Sequence, residues 1–393
     1  MTLHPPFRDG GILRPMRILA LAAFAALLIA PSILHAENRD REYLEKARVI
    51  DAGPSMVREV PGLGVSQETQ TVTVEVLEGP DAGTRATFVN DFTQVEDGDL
   101  VYVRHAIAAQ DGPETWIITD PYRLDVLLAV AGAFLIVLFL FGGLQGIRAL
   151  ATLGGSLVLI FFLLLPNVYA GHSPILVSIG VASLIIVIGS YITHGFNRTT
   201  TVAMLGMIGT VLVTGAATYA VIHAAKLSGF TSENNAYLNF MTEGRIDMIG
   251  LLFGGIIIGL LGILYDVAIG QAVTVEELLA AGAHYTRRQA FLRAMRVGRE
   301  HIGALVNTLA IAYVGSSLPL LLLFRESSAG IAYTLNSEIF ATEVIRILMG
   351  SIGLVLAVPV TTALAAWLTR QGLPVRDGHG HAHAAHTPKN SSE

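Results

Sequence analysis

The first candidate for chemistry is a single carboxylate inside the apolar, glycine-rich stretch Gly250–Leu278. The stretch is long enough to cross a bilayer, which takes about 20 apolar residues. Asp266 lies within it, and a charged side chain inside a membrane span costs about 2.5–3.5 kcal/mol on insertion scales, so it marks a functional site by default. Gly255, Gly259 and Gly262 share a helical face with Asp266, where they predict close packing of another helix. We expect Asp266 to face protein or water and to respond to protons or cations.

Four more polar residues lie in or beside apolar stretches near the carboxyl end. Asn307 and Glu300 are seven residues apart and so share a helical face. Glu343 and Arg346, three residues apart, are spaced for an ion pair. Together with Asp266 these residues predict a transport pathway; the alternative is that they serve packing, as a hydrogen bond between helices and an interfacial salt bridge.

The carboxyl-terminal tail, residues 371–393, carries a third pattern. It contains His379, His381, His383 and His386 in a Gly/Ala context, and neutral imidazoles bind transition metals such as zinc or nickel. The pattern favours weak binding of a divalent metal by a flexible, disordered cytoplasmic tail. The alternative is a disordered terminus with no metal role, and no resident cofactor is expected elsewhere.

Composition indicates the class of protein that positions these residues. Of 393 residues, 52% are hydrophobic and 14% charged, and the mean hydropathy is +0.59. That is far too apolar for a soluble protein and predicts an α-helical polytopic membrane protein in contact with the lipid bilayer. The net charge of -6 and the lack of a basic run argue against nucleic acid as a partner. The sequence has no cysteine, so disulfides are excluded.

Residues 1–36 are typical of a signal peptide or signal anchor. Arg8, Arg14 and Arg17 precede an apolar run, and Ala36 is a small residue where cleavage could occur. The pattern leaves cleavage open. In both cases the following segment is predicted to leave the cytoplasm.

Residues 37–122 are predicted to form a small extracytoplasmic all-β domain, an OB-like or SH3-like barrel. Thr69–Leu77 alternates with period two, and Arg85–Val89, Leu100–Arg104 and Thr115–Thr119 resemble further strands separated by turn residues. The charged segment Arg39–Arg48 is interpreted as a short helix or linker. The domain is interpreted as a structural cap or a partner-binding module.

Residues 123–370 are predicted to form the helical membrane domain, with about seven spans after the signal segment. Pro319 and Pro359 lie inside apolar runs and predict kinks. The predicted spans are Leu124–Phe141, Ala149–Leu165, Pro174–Tyr191, Thr201–His223, Ile246–Gly270, Ile302–Phe324 and Ile345–Trp367.

Basic residues predict the orientation. The loop His284–Arg299 contains five arginines, whereas the loops on the other side hold only Lys226, Arg245 and Arg325. The positive-inside rule therefore places the carboxyl terminus in the cytoplasm of a bacterium, with the protein in the inner membrane. Within residues 274–300 we expect a cytoplasmic amphipathic helix capped by Thr274, serving as a membrane-surface helix or as a gate.

Known catalytic patterns are missing from the sequence. There is no GxxxxGK[ST] loop for nucleotide-driven pumping and no GxSxG hydrolase motif. We therefore expect a protein that is not an enzyme.

Three segments carry a family resemblance: GLLGILYDVAIGQAVTVEEL, REHIGALVNTLAIAYVGSSLPLLLL and NSEIFATEVIRILMGSIGLVLAVPVTTALAAWL. In order and spacing they resemble the YibE/F-like family of bacterial multispanning membrane proteins, and the resemblance extends over Thr69–Thr369. It implies the architecture described above. The family is described as uncharacterised, in part as predicted permeases, so no site residues are carried over.

Two functions fit the sequence. The first is a secondary transporter or permease of a small solute or ion, including a divalent metal, in which Asp266 exchanges a proton or binds a cation. The second is a non-transporting scaffold or regulator whose extracytoplasmic barrel binds a partner. Glycine-rich faces are compatible with a homo-oligomer as well as with packing inside one chain.

Overall fold

A computed structural model describes residues 41–60, 65–107, 114–281, 285–326 and 330–369. The described residues form two compact units, one ending at Gly146 and the other beginning at Ile147. The protein is mostly helical, with several long apolar helices and a small antiparallel sheet near the amino terminus. The predicted signal segment 1–36 and the tail 371–393 lie outside the described residues.

The sheet contains six antiparallel strands in the part of the chain described. Strand β3 pairs with β2 near its start and with both β1 and β4 over the rest of its length. Strands β5 and β6 extend the sheet beyond β1. The strands are β1 (Arg41–Ala52), β2 (Met56–Val60), β3 (Val65–Val76), β4 (Arg85–Asn90), β5 (Leu100–Ile107) and β6 (Glu114–Pro121).

The core of the sheet follows the predicted alternation. Val72, Val74 and Val76 of β3 are buried, and the residues between them face outward. The four predicted strands are confirmed as parts of β3, β4, β5 and β6. Closure into an OB-like or SH3-like barrel stays a prediction.

The prediction of a helix or linker at Arg39–Arg48 is wrong over its described part, because residues 41–52 form β1. In β1 the alternating positions Glu45, Ala47 and Val49 are all buried. One of the inward positions is a carboxylate, and Glu45 Oε1 accepts a hydrogen bond of 3.0 Å from the Asp81 amide. This buried charge breaks the apolar alternation by which a strand is recognised.

Long apolar helices make up the second unit and the end of the first. They are α1 (Leu124–Leu159), a π-helical turn (Ile160–Leu164), α2 (Leu165–Tyr169), α3 (Pro174–His194), α4 (Arg198–Ala224), α5 (Glu233–Met241), α6 (Met248–Ala281), α7 (Arg287–Ser316), α8 (Leu318–Glu326), α9 (Ile331–Asn336) and α10 (Glu338–Leu368).

Among the described residues, five helical stretches are long and apolar enough to cross a membrane, or six if the bent pair α7–α8 counts as one span. The first two predicted spans fall within one continuous stretch, Leu124–Tyr169. Its backbone leaves helical geometry at Gly143, and a Cβ on Gly146 would lie 2.8 Å from the Leu138 carbonyl oxygen. The break falls between the two predicted spans, and the count of seven stays a prediction.

Helix α6 is the centre of the helical unit, packing against α3, α4, α7 and α10. Phe253, Ile256, Ile257, Leu260 and Leu264 on its inner face are at most 2% exposed. Burying a side chain of this size away from water stabilises by about 1.5–3 kcal/mol, although lipid reduces that gain for spans. Because α6 contacts four other helices, a polar residue on it can meet side chains from several helices, as a functional site requires.

The predicted helix start at Thr274 is wrong. Helix α6 continues to Ala281, and the Thr274 hydroxyl donates to the Gly270 carbonyl inside the same helix, because no helix breaker interrupts the sequence there. Helix α7 begins later, where the Thr286 side chain accepts from the Gln289 amide in a capping box. The predicted amphipathic helix 274–300 is therefore divided between the end of α6 and the first half of α7.

The kink predicted at Pro319 is confirmed. Helices α7 and α8 meet at an angle of 66° around Ser317, directly before this proline. Pro359, by contrast, lies inside the continuous helix α10.

Candidate functional site

Asp266 lies near the middle of α6, the one charged residue between Asp247 and Glu276. Its side chain is on the exposed surface of the helix. His194, the last residue of α3, lies close enough for its charge to interact with Asp266. Arg148 of α1 adds a positive charge near the same imidazole. The structure thus brings an acid, a base and a guanidinium from three helices to one region.

Hydroxyl groups surround this charged pair. The Tyr265 ring lies 5.9 Å from the His194 ring, centroid to centroid, and its hydroxyl lies near those of Ser190 and Thr193. Thr193 shares a hydrogen bond of 2.8 Å with Thr152 of α1. We call Thr152, Ser190, Thr193, His194, Tyr265 and Asp266 the Asp266 cluster.

The hydroxyls of Ser190 and Tyr265 are buried, and that of Tyr265 lies close enough to those of Ser190 and Thr193 to interact with them. Ser190 is completely buried and Tyr265 is half-buried. An ionisable carboxylate and an imidazole beside a group of hydroxyls are suited to hold a cation, a proton or a small polar solute.

Sequence reasoning found Asp266 and missed the rest of its cluster. Ser190, Thr193 and His194 form a polar run at the end of an apolar stretch, followed at once by Gly195. The signal was the spacing of Ser190 and His194 at i and i+4, which places both on one helical face. Tyr265 adjoins Asp266 in sequence but resembles an ordinary aromatic residue of a span.

The structure does not confirm the prediction that Gly255, Gly259 and Gly262 all pack closely against another helix. All three are exposed, and a Cβ on Gly255 or Gly262 would meet open space. Only the Gly259 position approaches another helix, with the Tyr313 hydroxyl 2.8 Å from a Cβ built there. Helix α6 instead packs through its large apolar side chains, because these occupy the opposite face.

Asn307 and Glu300 are both exposed on α7. Contacts of Gly259 with Tyr313 and of Gln271 with Gly298 show that α6 and α7 run antiparallel. Interpolating between them places Asn307 within about one helical turn of the level of Asp266. Glu300 lies about two turns earlier in α7, near the level of Gln271. Only Asn307 therefore lies near the level of Asp266 along the bundle.

The ion pair predicted between Glu343 and Arg346 is confirmed, with 2.8 Å between Oε1 and Nη1. It does not lie at the Asp266 cluster. Helices α6 and α10 run parallel, with Leu260 beside Gly353, and Gln271 bonded to Thr362 at 2.9 Å. The pair is therefore about 20 Å along the bundle from Asp266.

The predicted metal ligands His379, His381, His383 and His386 lie outside the described residues. Within the described ranges, no group of three or more His, Cys, Asp or Glu side chains is arranged to hold a metal ion.

The family comparison covers most of the helical part of the chain. Residues 130–371 match the family model described as YibE/F-like protein. The matched range excludes the sheet, so the resemblance proposed for residues 69–129 stays a prediction. No curated protein and no solved structure matches the chain. The match covers more than half of the 393 residues, and the chain belongs to the YibE/F-like family.

Proposed function

We propose that this membrane protein is a secondary transporter of a small solute or cation and not an enzyme, with Asp266 as the group that binds or releases the coupling proton or cation. The observation that carries the proposal is the Asp266 cluster. It joins an ionisable carboxylate within a long apolar helix to an imidazole and to the buried hydroxyls of Ser190 and Tyr265.

The free-energy cost of a charged group in a span supports the proposal of a transporter. A carboxylate in a span reduces stability, and such a cost is typical of binding sites rather than of packing interfaces. Secondary transporters build their sites where ionisable and polar groups from several helices converge. Asp266 lies four residues before Gly270, the end of the predicted span, and its partners come from α1 and α3.

The basic arginines of the predicted cytoplasmic side support placement in a bacterial inner membrane with the carboxyl terminus inside. In that orientation the cluster lies toward the cytoplasmic half, because α3 ends at His194 just before the predicted inner loop. Asp266 would then exchange its ligand with the cytoplasm.

The test is transport by purified protein in liposomes that contain a pH-sensitive dye. Divalent metals, small anions and small organic solutes are offered in turn. We expect solute-dependent proton movement in the wild type and none in Asp266→Asn, which keeps the shape of the side chain and removes its charge. His194→Gln should reduce the rate as well, since it removes the titrating partner.

Glu277→Gln is the matched control, because Glu277 is an exposed carboxylate on the same helix, remote from the cluster in sequence. It should transport like the wild type. Transport by Asp266→Asn at the wild-type rate would refute the role of Asp266. Silence of the wild type across the panel would favour the alternative of a scaffold whose extracytoplasmic domain binds a partner.

A further inference from the structure

Three arginines lie close together on the first half of α7, on the side of the helix turned away from the bundle. The buried side of this part of α7, marked by Ala294 and Gly298, packs against α6 and α10. Arg296 and Arg299 lie about 160° and 140° around the helix from Ala294, and Arg293 lies about 100° from it. All three arginines are exposed. We call them the arginine triplet.

The charges of the arginine triplet are not neutralised by the described part of the protein. None of its members forms an ion pair with a described carboxylate, not even with Glu300, which follows Arg296 by four residues. The Arg293 guanidinium lies 4.5 Å from the centre of the Tyr285 ring, and Arg299 Nε donates to a carbonyl of its own helix at 3.4 Å. Like charges at this spacing on a helix repel one another. An anion bound on this side of α7 would remove the repulsion.

The height of the arginine triplet along the bundle is that of a membrane interface. Gly298 lies against Gln271 of α6, so the triplet is within about 8 Å of the Gln271 level. Gln271 also bonds to Thr362 of α10, and Trp367 follows about 8 Å further toward the level of Phe291. The Trp367 ring is 52% exposed and lies 5.7 Å from the Phe291 ring, centroid to centroid. Tryptophan is enriched at the headgroup level of a membrane, so lipid headgroups are expected beside the triplet.

The same side of α7 becomes apolar further along the helix. Ile311 and Val314 follow Arg293 and Arg296 by eighteen residues, which is five helical turns, and therefore lie on the same faces. Both are exposed, at 61% and 43%. Positive charge at the interface followed by exposed apolar side chains within the span matches a phospholipid, with its phosphate at one end and its acyl chains at the other. A small water-soluble anion would match the charged part alone.

We propose that the arginine triplet binds the phosphate group of an anionic phospholipid in the leaflet on the predicted cytoplasmic side. A guanidinium group donates two parallel hydrogen bonds to phosphate oxygens, and Arg296 has another arginine three residues away on either side. A headgroup with a net negative charge is favoured over a zwitterionic one, because the ammonium group of a zwitterionic lipid is repelled by the triplet. Lipid binding here does not depend on transport through the Asp266 cluster.

The test is native mass spectrometry of the full chain in a neutral detergent, titrated with phosphatidylglycerol or with phosphatidylcholine of the same acyl chains. We expect the wild type to bind phosphatidylglycerol more tightly than phosphatidylcholine. Arg296→Gln/Arg299→Gln should weaken phosphatidylglycerol binding by about fivefold for each arginine, or about 25-fold for the pair, and leave phosphatidylcholine binding unchanged. Both side chains are exposed, so the fold is retained.

Arg287→Gln/Arg288→Gln is the matched control, because it removes two exposed arginines of the same helix about 12–14 Å from Arg296. It should bind phosphatidylglycerol nearly as tightly as the wild type. Equal losses in the two double variants would show a general effect of charge and overturn the site. Equal affinity of the wild type for the two lipids would also overturn it, as would displacement of phosphatidylglycerol by inorganic phosphate at the same concentration, since the site would then bind phosphate alone.

Hydrogen exchange in lipid nanodiscs gives a second readout, in a bilayer instead of detergent. Exchange in residues 293–299 should be slower in discs that contain phosphatidylglycerol than in discs of phosphatidylcholine alone. Arg296→Gln/Arg299→Gln should remove this difference, whereas Arg287→Gln/Arg288→Gln should keep it. Exchange that is the same in both kinds of disc for the wild type would overturn the proposal.

Discussion

Replacement of Gly206 by alanine tests directly how α4 and α10 pack. The Cβ of the new residue would lie 2.5 Å from Thr361 Oγ1 and 3.0 Å from Thr361 Cα. The first atom can move with its side chain, but the second belongs to the backbone of α10. The helices must therefore separate or shift to admit the methyl group.

The magnitude follows from a comparison with Gly209 on the same helix. A Cβ there would have Val360 Cγ1 as its nearest neighbour, at an ordinary contact distance of 3.9 Å. Both substitutions gain about 0.5–1 kcal/mol because alanine favours a helix more than glycine does. Only Gly206→Ala adds the cost of overpacking, about 1–3 kcal/mol. The gain cancels in the difference, so Gly206→Ala should be less stable than Gly209→Ala by about 1–3 kcal/mol.

The free energy of unfolding would be measured in detergent micelles by denaturant titration of both variants and the wild type. Gly209→Ala should equal or exceed the wild type. The double variant Gly206→Ala/Thr361→Ala should recover only part of the loss, because the Thr361 Cα remains close. Equal stability of Gly206→Ala and Gly209→Ala would refute the close contact between α4 and α10 and its register.

Three further predictions test other parts of the fold. Thr286→Ala should speed hydrogen exchange in the first turn of α7 and cost about 1 kcal/mol, whereas Thr274→Ala, inside α6, should leave that exchange unchanged. Glu338→Ala should speed exchange of the two loop amides after α4 that its carboxylate binds at 2.7 and 2.9 Å. Val74→Ala, completely buried in β3, should lower the free energy of unfolding of the sheet unit by about 2 kcal/mol, while Thr71→Ala on the exposed face should have little effect.

Much of the fold could be predicted because burial and membrane insertion both leave simple patterns in sequence. The alternation of Val72, Val74 and Val76 defined β3, and apolar runs of sufficient length located α3, α4, α6 and α10. Strand β1 was missed because the buried position Glu45 is charged. The predicted helix boundary at Thr274 was wrong. Threonine often caps a helix, but this one lies inside α6, and its hydroxyl donates to the Gly270 carbonyl of the same helix.

The candidate site could be predicted only in part, because a span that is apolar on all sides does not reveal which face meets which neighbour. Asp266 stood out by its charge alone. Its partners Ser190, Thr193 and His194 are brought near it by the packing of α3 against α6, which no local spacing specifies.

The glycines also show that spacing alone does not identify which helix faces meet. Gly255, Gly259 and Gly262 have the regular spacing that predicts close helix packing, yet two of them face open space. Gly206 and Gly353 are the ones that bring α4 and α10 together. Spacing identifies a surface on which close approach is allowed, whereas the partner's side chains decide whether it happens. The close approach of α4 and α10 also encloses threonine side chains of both helices, because no space for a methyl group remains beside Gly206 or Gly353.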